Sequence, residues 1–148
     1  MNTLKEMFKI ADTHVRKIDL AFEALKSVVP FDQKKVLDLS IQDSLWVELL
    51  ISRFAKLQDF IGKKMIDQFL KMTKDYSDNM TMLEKLNQLK RLEIIPSVDV
   101  WEQMREARNH IAHEDPDEPA LTAKYLNQIF EFTPQLIEIL NHIKYRSG

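Results

Sequence analysis

The segment Trp101-Glu102-Gln103-Met104-Arg105-Glu106-Ala107-Arg108-Asn109-His110-Ile111-Ala112-His113 brings a guanidinium, an amide and an imidazole close together in the chain. An imidazole titrates near neutrality and can move protons. A guanidinium stays charged and forks onto phosphate oxygens. On a helix with about 100° per residue, Val100, Met104, Ala107 and Ile111 fall within about 60° of one another and form an apolar stripe. Arg108 lies about 80° from Val100, at the edge of that stripe, while Arg105, Asn109 and His113 follow at about 140°, 180° and 220° on the far side. A metal-free ribonuclease needs this set: a base for the ribose 2′-OH proton and positive charge for the pentacovalent phosphate. By residue type alone, an exposed His and Arg on a helix are more often plain solvated surface.

Other groupings are weaker. His110 and His113 are three apart and precede the acidic run Glu114, Asp115, Asp117, Glu118. Such spacing can bind a metal, but a solvated acidic turn is the simpler reading, and no metal or cofactor is expected. Glu138 and His142 are one turn apart without the second Glu-x-x-His pair that a di-iron bundle uses. His14 reads as structural or surface. Arg53, Lys56, Lys63, Lys64, Lys71 and Lys74 form a basic stretch that Asp59 and Asp67 partly offset, leaving +4. It suits either solvation or tracking of a phosphate backbone. The aromatic residues follow the helical seams, which leaves no surface platform for stacked bases.

The elements that must carry these residues are all helical. Leu4, Phe8, Ala11, Val15, Ile18, Phe22, Leu25 and Val29 step by four and three, which predicts a first helix that Pro30 ends. Asp32 to Leu39 reads as a helical turn or two, with Ser40 or Asp43 capping the next helix. Leu50, Phe54, Leu57, Ile61, Met65, Phe69 and Met72 predict a second long helix, from about Ile41 to Lys74. Gly62 inside it costs about 1 kcal/mol relative to alanine and implies close packing against another helix. The polar stretch Asp75 to Asn79 reads as a loop. Thr81 and Glu84 match a capping box before Leu86, Leu89 and Leu92. Pro96-Ser97 breaks the chain, and Ser97 can cap a helix from Val98 to about His113. Glu114 to Pro119 is a surface turn. A last helix from Ala120 to about Tyr145 contains Pro134, which should kink it. The expected fold is one all-α domain over residues 1–148, an antiparallel up-and-down bundle of four to five helices. Long helices in so small a domain often pair with a second copy.

The composition narrows the function. The 148 residues carry 21 Lys and Arg against 23 Asp and Glu, a net charge of −2, so no global charge calls for nucleic acid or a membrane. The absence of cysteine removes disulfides, thiol nucleophiles and cysteine-bound zinc. With glycine only at Gly62 and Gly148, no phosphate-cradling Gly-rich loop is possible. No apolar run exceeds three residues, as in Leu49-Leu50-Ile51, so neither a membrane span nor a signal-peptide core is expected, and a cytoplasmic location is the default.

Arg108-Asn109-His110-Ile111-Ala112-His113 resembles the R-[polar]-x-x-x-H motif of the HEPN superfamily. Arg53-Phe54-Ala55-Lys56-Leu57-Gln58-Asp59-Phe60-Ile61-Gly62 looks like the matching segment of HepT-like proteins. So do Leu83-Glu84-Lys85-Leu86 and the lead-in Ile95-Pro96-Ser97 to Trp101. The resemblance covers roughly Ile41 to Pro116 in detail and the whole chain in helix layout. It implies a helical bundle that dimerises, bringing two motifs into one cleft. It also implies a ribonuclease toxin paired with a small nucleotidyltransferase antitoxin of the MNT type. Arg108 and His113 are then the implied catalytic pair, with Asn109 as the polar residue after the arginine. With this resemblance, Arg53, Lys56, Lys63 and Arg105 are the residues expected to hold RNA. Many HepT-like toxins carry a tyrosine two residues after the motif histidine, which the antitoxin nucleotidylates. Asp115 stands there in this chain, and Tyr76, Tyr125 and Tyr145 do not match the position. An alternative of a different class is a non-catalytic module that holds a substrate or regulator for the nucleotidyltransferase.

Overall fold

A computed structural model describes residues 3–112 and 118–148 of the chain. Among the described residues the structure is all-helical. Helix α1 (Leu4–Leu25) starts at a capping box in which Thr3 accepts from the Glu6 N–H and Glu6 reaches back to Thr3. The short α2 (Gln33–Leu37) is capped by Asp32. Helix α3 (Ile41–Phe60), capped by Ser40, runs through a π-helical turn, Ile61–Met65, into α4 (Ile66–Met72). Helix α5 (Met82–Arg91) begins at the expected Thr81–Glu84 capping box. Ser97 Oγ accepts from the Val100 N–H and so caps α6 (Val98–Ala112). Helix α7 (Pro119–Arg146) continues past Pro134. Counting the α3–α4 rod once, these are six helical units, exceeding the four or five expected by the short α2.

Two boundaries differ from the sequence reading. Helix α1 stops at Leu25, four residues before Val29, although Val29 still packs against the core. The apolar spacing therefore outlasts the helix: the N–H groups of Val28 and Val29 both turn back to the Leu25 carbonyl. The second long helix ends at Met72 because Lys74 takes a left-handed conformation, φ 64°. The Asp75 N–H then bonds the Leu70 carbonyl and the Lys74 N–H the Lys71 carbonyl, which satisfies two of the carbonyls left free in the last turn.

One continuous core joins the helices. Ala11, Ile18, Ala21 and Leu25 of α1 pack with Leu50, Phe54 and Leu57 of α3, Phe69 and Leu70 of α4, Met104 and Ala107 of α6, and Leu136, Leu140 and Ile143 of α7. Helices α1 and α7 run antiparallel: Asp12 pairs with Lys144 at one end, and Phe22 stacks on Phe130 at 4.2 Å towards the other. The α1–α2 connection is fastened to α7 by Asn127, whose side chain accepts from the Phe31 N–H at 2.7 Å and donates to its carbonyl at 2.9 Å. Helices α3 and α6 are also antiparallel. Asp59 meets Arg108, and just past the end of α3, in the π turn, Gly62 meets Trp101, earlier on α6. A Cβ at Gly62 would lie 3.2 Å from the Trp101 ring, so the close approach expected at this glycine is present.

Candidate functional site

The amphipathic reading of α6 holds in the described part. Trp101, Met104, Ala107 and Ile111 are buried, Val100 is half-buried, and Arg105 and Asn109 are exposed. Arg108, at the stripe's edge, has its side chain 27% exposed. A half-buried guanidinium needs acceptors, and α3 supplies one: Arg108 Nη2 donates to Asp59 Oδ2 at 2.7 Å. Its Nη1 donates to Asn109 Oδ1 at 3.2 Å, while Nε is buried with no partner among the described residues. The guanidinium is therefore held in one orientation from the side of α3. Lys63 Nζ also approaches Asp59, at 3.9 Å.

A groove of about 240 Å³ lies along this contact. Its α6 wall is Trp101, Arg105, Arg108 and Asn109. Its other wall is Gln58 and Asp59 at the end of α3 and Gly62 and Lys63 in the π turn, with Met82 at the start of α5. Three cations and one carboxylate face it, a charge balance that favours an anion. The π turn carries an extra residue, with the Ile66 N–H reaching the Ile61 carbonyl, and such turns often accompany functional sites because they re-aim side chains. Gln58 is 3% exposed, and neither its Oε1 nor its Nε2 has a partner among the described residues.

The residues singled out from the sequence separate into groups. Arg108, Asn109, Arg105 and Lys63 meet in the groove. Lys56 is exposed on α3 outside it. Arg53 faces α1, where its Nη1 lies 3.2 Å from His14 Nδ1. Since arginine only donates, Nδ1 accepts and the His14 proton sits on Nε2. Partial burial, and then the cations of Arg53, Lys56 and Lys17, hold His14 below the ordinary imidazole value of 6.5. His113, Glu114, Asp115 and Asp117 lie outside the described residues, whereas Glu118, the last of the acidic run, is exposed and directly precedes α7, whose first residue is Pro119. His110 stacks on Tyr125 with ring centroids 4.5 Å apart and planes 2° from parallel, joining the end of α6 to α7.

Two groove residues had no such role in the sequence reading. In the sequence, Asp59 enters as an offset to lysine charge, and Asp59 and Gln58 both stand in the Arg53 to Gly62 segment that carries the resemblance, but neither is given a site role there. The signal for Asp59 was indirect: an arginine at the edge of an apolar stripe requires an acceptor from a neighbouring helix. Glu138 and His142 line a separate cavity of about 450 Å³. There His142 Nδ1 lies 3.0 Å from the Ile94 carbonyl and Nε2 3.4 Å from Glu138.

Comparison with protein-family models, with curated proteins and with solved structures returned no match. No helix among the described residues is long and apolar enough to cross a membrane.

Proposed function

We propose that this protein is a HepT-like endoribonuclease toxin of the HEPN type, cleaving RNA without a metal at a cleft formed by two copies. The observation that carries the reading is the groove itself. The arginine of the motif is oriented by Asp59 and lies beside Asn109, with Arg105 and Lys63 open to the same space. In this reading His113 takes the proton from the ribose 2′-OH. The 2′-oxygen attacks phosphorus, and the bond to the 5′-oxygen breaks. That oxygen leaves with a proton from solvent, giving a 2′,3′-cyclic phosphate and a 5′-OH. Arg108 neutralises the charge that builds on the phosphate, Asn109 orients the reacting groups, and Lys63 and Arg105 hold the neighbouring backbone. A small nucleotidyltransferase of the MNT type is the expected antitoxin. The test is incubation of the purified protein with RNA in a chelator. Products ending in 2′,3′-cyclic phosphate support the reading, and intact RNA with folded protein opposes it.

The Asp59–Arg108 pair favours a second reading. A guanidinium already bonded to a carboxylate and an amide has fewer donors for a transition state. The groove would then bind phosphate without cleaving, as a module serving the nucleotidyltransferase. RNA that binds but stays intact would select it.

A further inference from the structure

We infer that Gln58 is the base-reading end of the groove: its amide bonds the edge of one nucleobase whose phosphate rests on Arg105, Arg108 and Lys63. The inference rests on the reading of this groove as an RNA site. Its own observation is the state of Gln58. The side chain is 3% exposed, it lines the groove, and both of its polar atoms lack a partner among the described residues. Burying an amide with neither donor nor acceptor satisfied is costly, so such a group takes up a polar partner, either a bound water or a ligand that displaces it. A ligand that supplies a donor beside an acceptor recovers both bonds. Nucleobase edges present such pairs, and a glutamine amide meets them with Oε1 accepting and Nε2 donating.

The surroundings fit a base better than a free phosphate. Met82 and the buried Trp101 make part of the lining apolar, while Arg105 and Arg108 on α6 and Lys63 in the π turn supply the charge that a sugar–phosphate needs. About 240 Å³ is below the roughly 300–1,000 Å³ of drug-sized sites, a scale for one base rather than several. The two amide atoms are closed off from solvent in this structure. Met82 is half-buried on the wall of the same groove, and a flexible thioether yields more readily to an entering ligand than a branched or aromatic side chain. Asp59, the next residue, is engaged by Arg108 through Oδ2, and beside it the Gln58 amide is a neutral hydrogen-bonding group without a partner among the described residues.

The test measures binding of inorganic phosphate and of the four nucleoside 5′-monophosphates by calorimetry, to the full chain and to Gln58→Met. Methionine is unbranched and of similar length, so it fills the same space without polar atoms. For the parent, at least one nucleotide should bind about tenfold or more tighter than phosphate, the net worth of two hydrogen bonds. Gln58→Met should lose that advantage, keep its phosphate affinity, and melt no lower than the parent. The inference is overturned if no nucleotide outbinds phosphate, or if the variant keeps the advantage. RNA cleavage that persists without any nucleotide preference sinks this inference alone. Failure of both phosphate and nucleotides to bind removes the groove as an RNA site altogether.

Discussion

Arg108 shows how a residue at the boundary between core and solvent becomes specialised. Its position on α6 puts the guanidinium against α3, and Asp59 then fixes its direction. A lysine at this place keeps the charge but loses the fork. Arg108→Lys should therefore leave the melting temperature within a few degrees of the parent while cutting RNA cleavage about a hundredfold. An unchanged rate would show that the guanidinium geometry is not used. His14 makes a different prediction, about stability. The folded chain holds its imidazole below 6.5 through burial and the Arg53, Lys56 and Lys17 cations. Below that pH the unfolded chain takes up more protons than the folded one, so stability is complete above 6.5 and declines as the pH drops beneath it. The urea midpoint should fall on acidification from that value, and His14→Gln should flatten this part of the profile. The same acid slope in the variant would place the effect elsewhere.

At the scale of elements, caps govern the boundaries. Thr81 with Glu84, Ser40 and Ser97 all stand where their types and spacing indicate, because capping is local and a few residues contain it. The two ends of helices that the sequence misplaces depend on more than spacing. Val29 packs on the core without being helical, so a seam that includes it overstates α1. Lys74 stops the α3–α4 rod in a left-handed conformation that nothing about a lysine announces. That strain is testable. Lys74 is exposed, and a glycine at this position avoids the steric cost of a side chain while conceding some backbone entropy. Lys74→Gly should raise stability by about 0.5–1 kcal/mol in chemical denaturation. A loss would show that the lysine side chain contributes there. The π turn was likewise invisible, since Ile61, Met65 and Phe69 keep a spacing of four while the backbone absorbs an extra residue. The candidate site was half legible for a related reason. The amphipathic order of α6 identifies Arg108 and Asn109, whereas Asp59 and Gln58 join them only through the packing of α3 on α6, 49 residues away for the Asp59–Arg108 pair.

For the whole molecule, a chain of net charge −2 concentrates three cations around one groove, so the attraction for an anion that the proposed function requires is local rather than global. Regulation is also a question at this scale. Asp115 replaces the tyrosine that the HepT resemblance would lead one to expect, and a carboxylate does not accept a nucleotidyl group as a stable phosphodiester. Tyr125 is buried beneath His110, and Tyr76 lies half-buried with Lys71 and Lys85 over its ring. Tyr145, 85% exposed, remains as an accessible hydroxyl at the end of α7. Co-expression with a nucleotidyltransferase partner should give a silenced, non-covalent complex whose intact mass carries no AMP. An adduct on Tyr145, Tyr76 or Tyr125 that coincides with loss of toxicity would show covalent control instead. The most direct measurement of the central claim is RNA cleavage in a chelator by the parent, Arg108→Ala and His113→Ala, with circular dichroism confirming that all three are folded. The expected result is cleavage by the parent, with 2′,3′-cyclic phosphate ends, and none by either variant. Equal cleavage by a folded variant, or none by the parent, would contradict it.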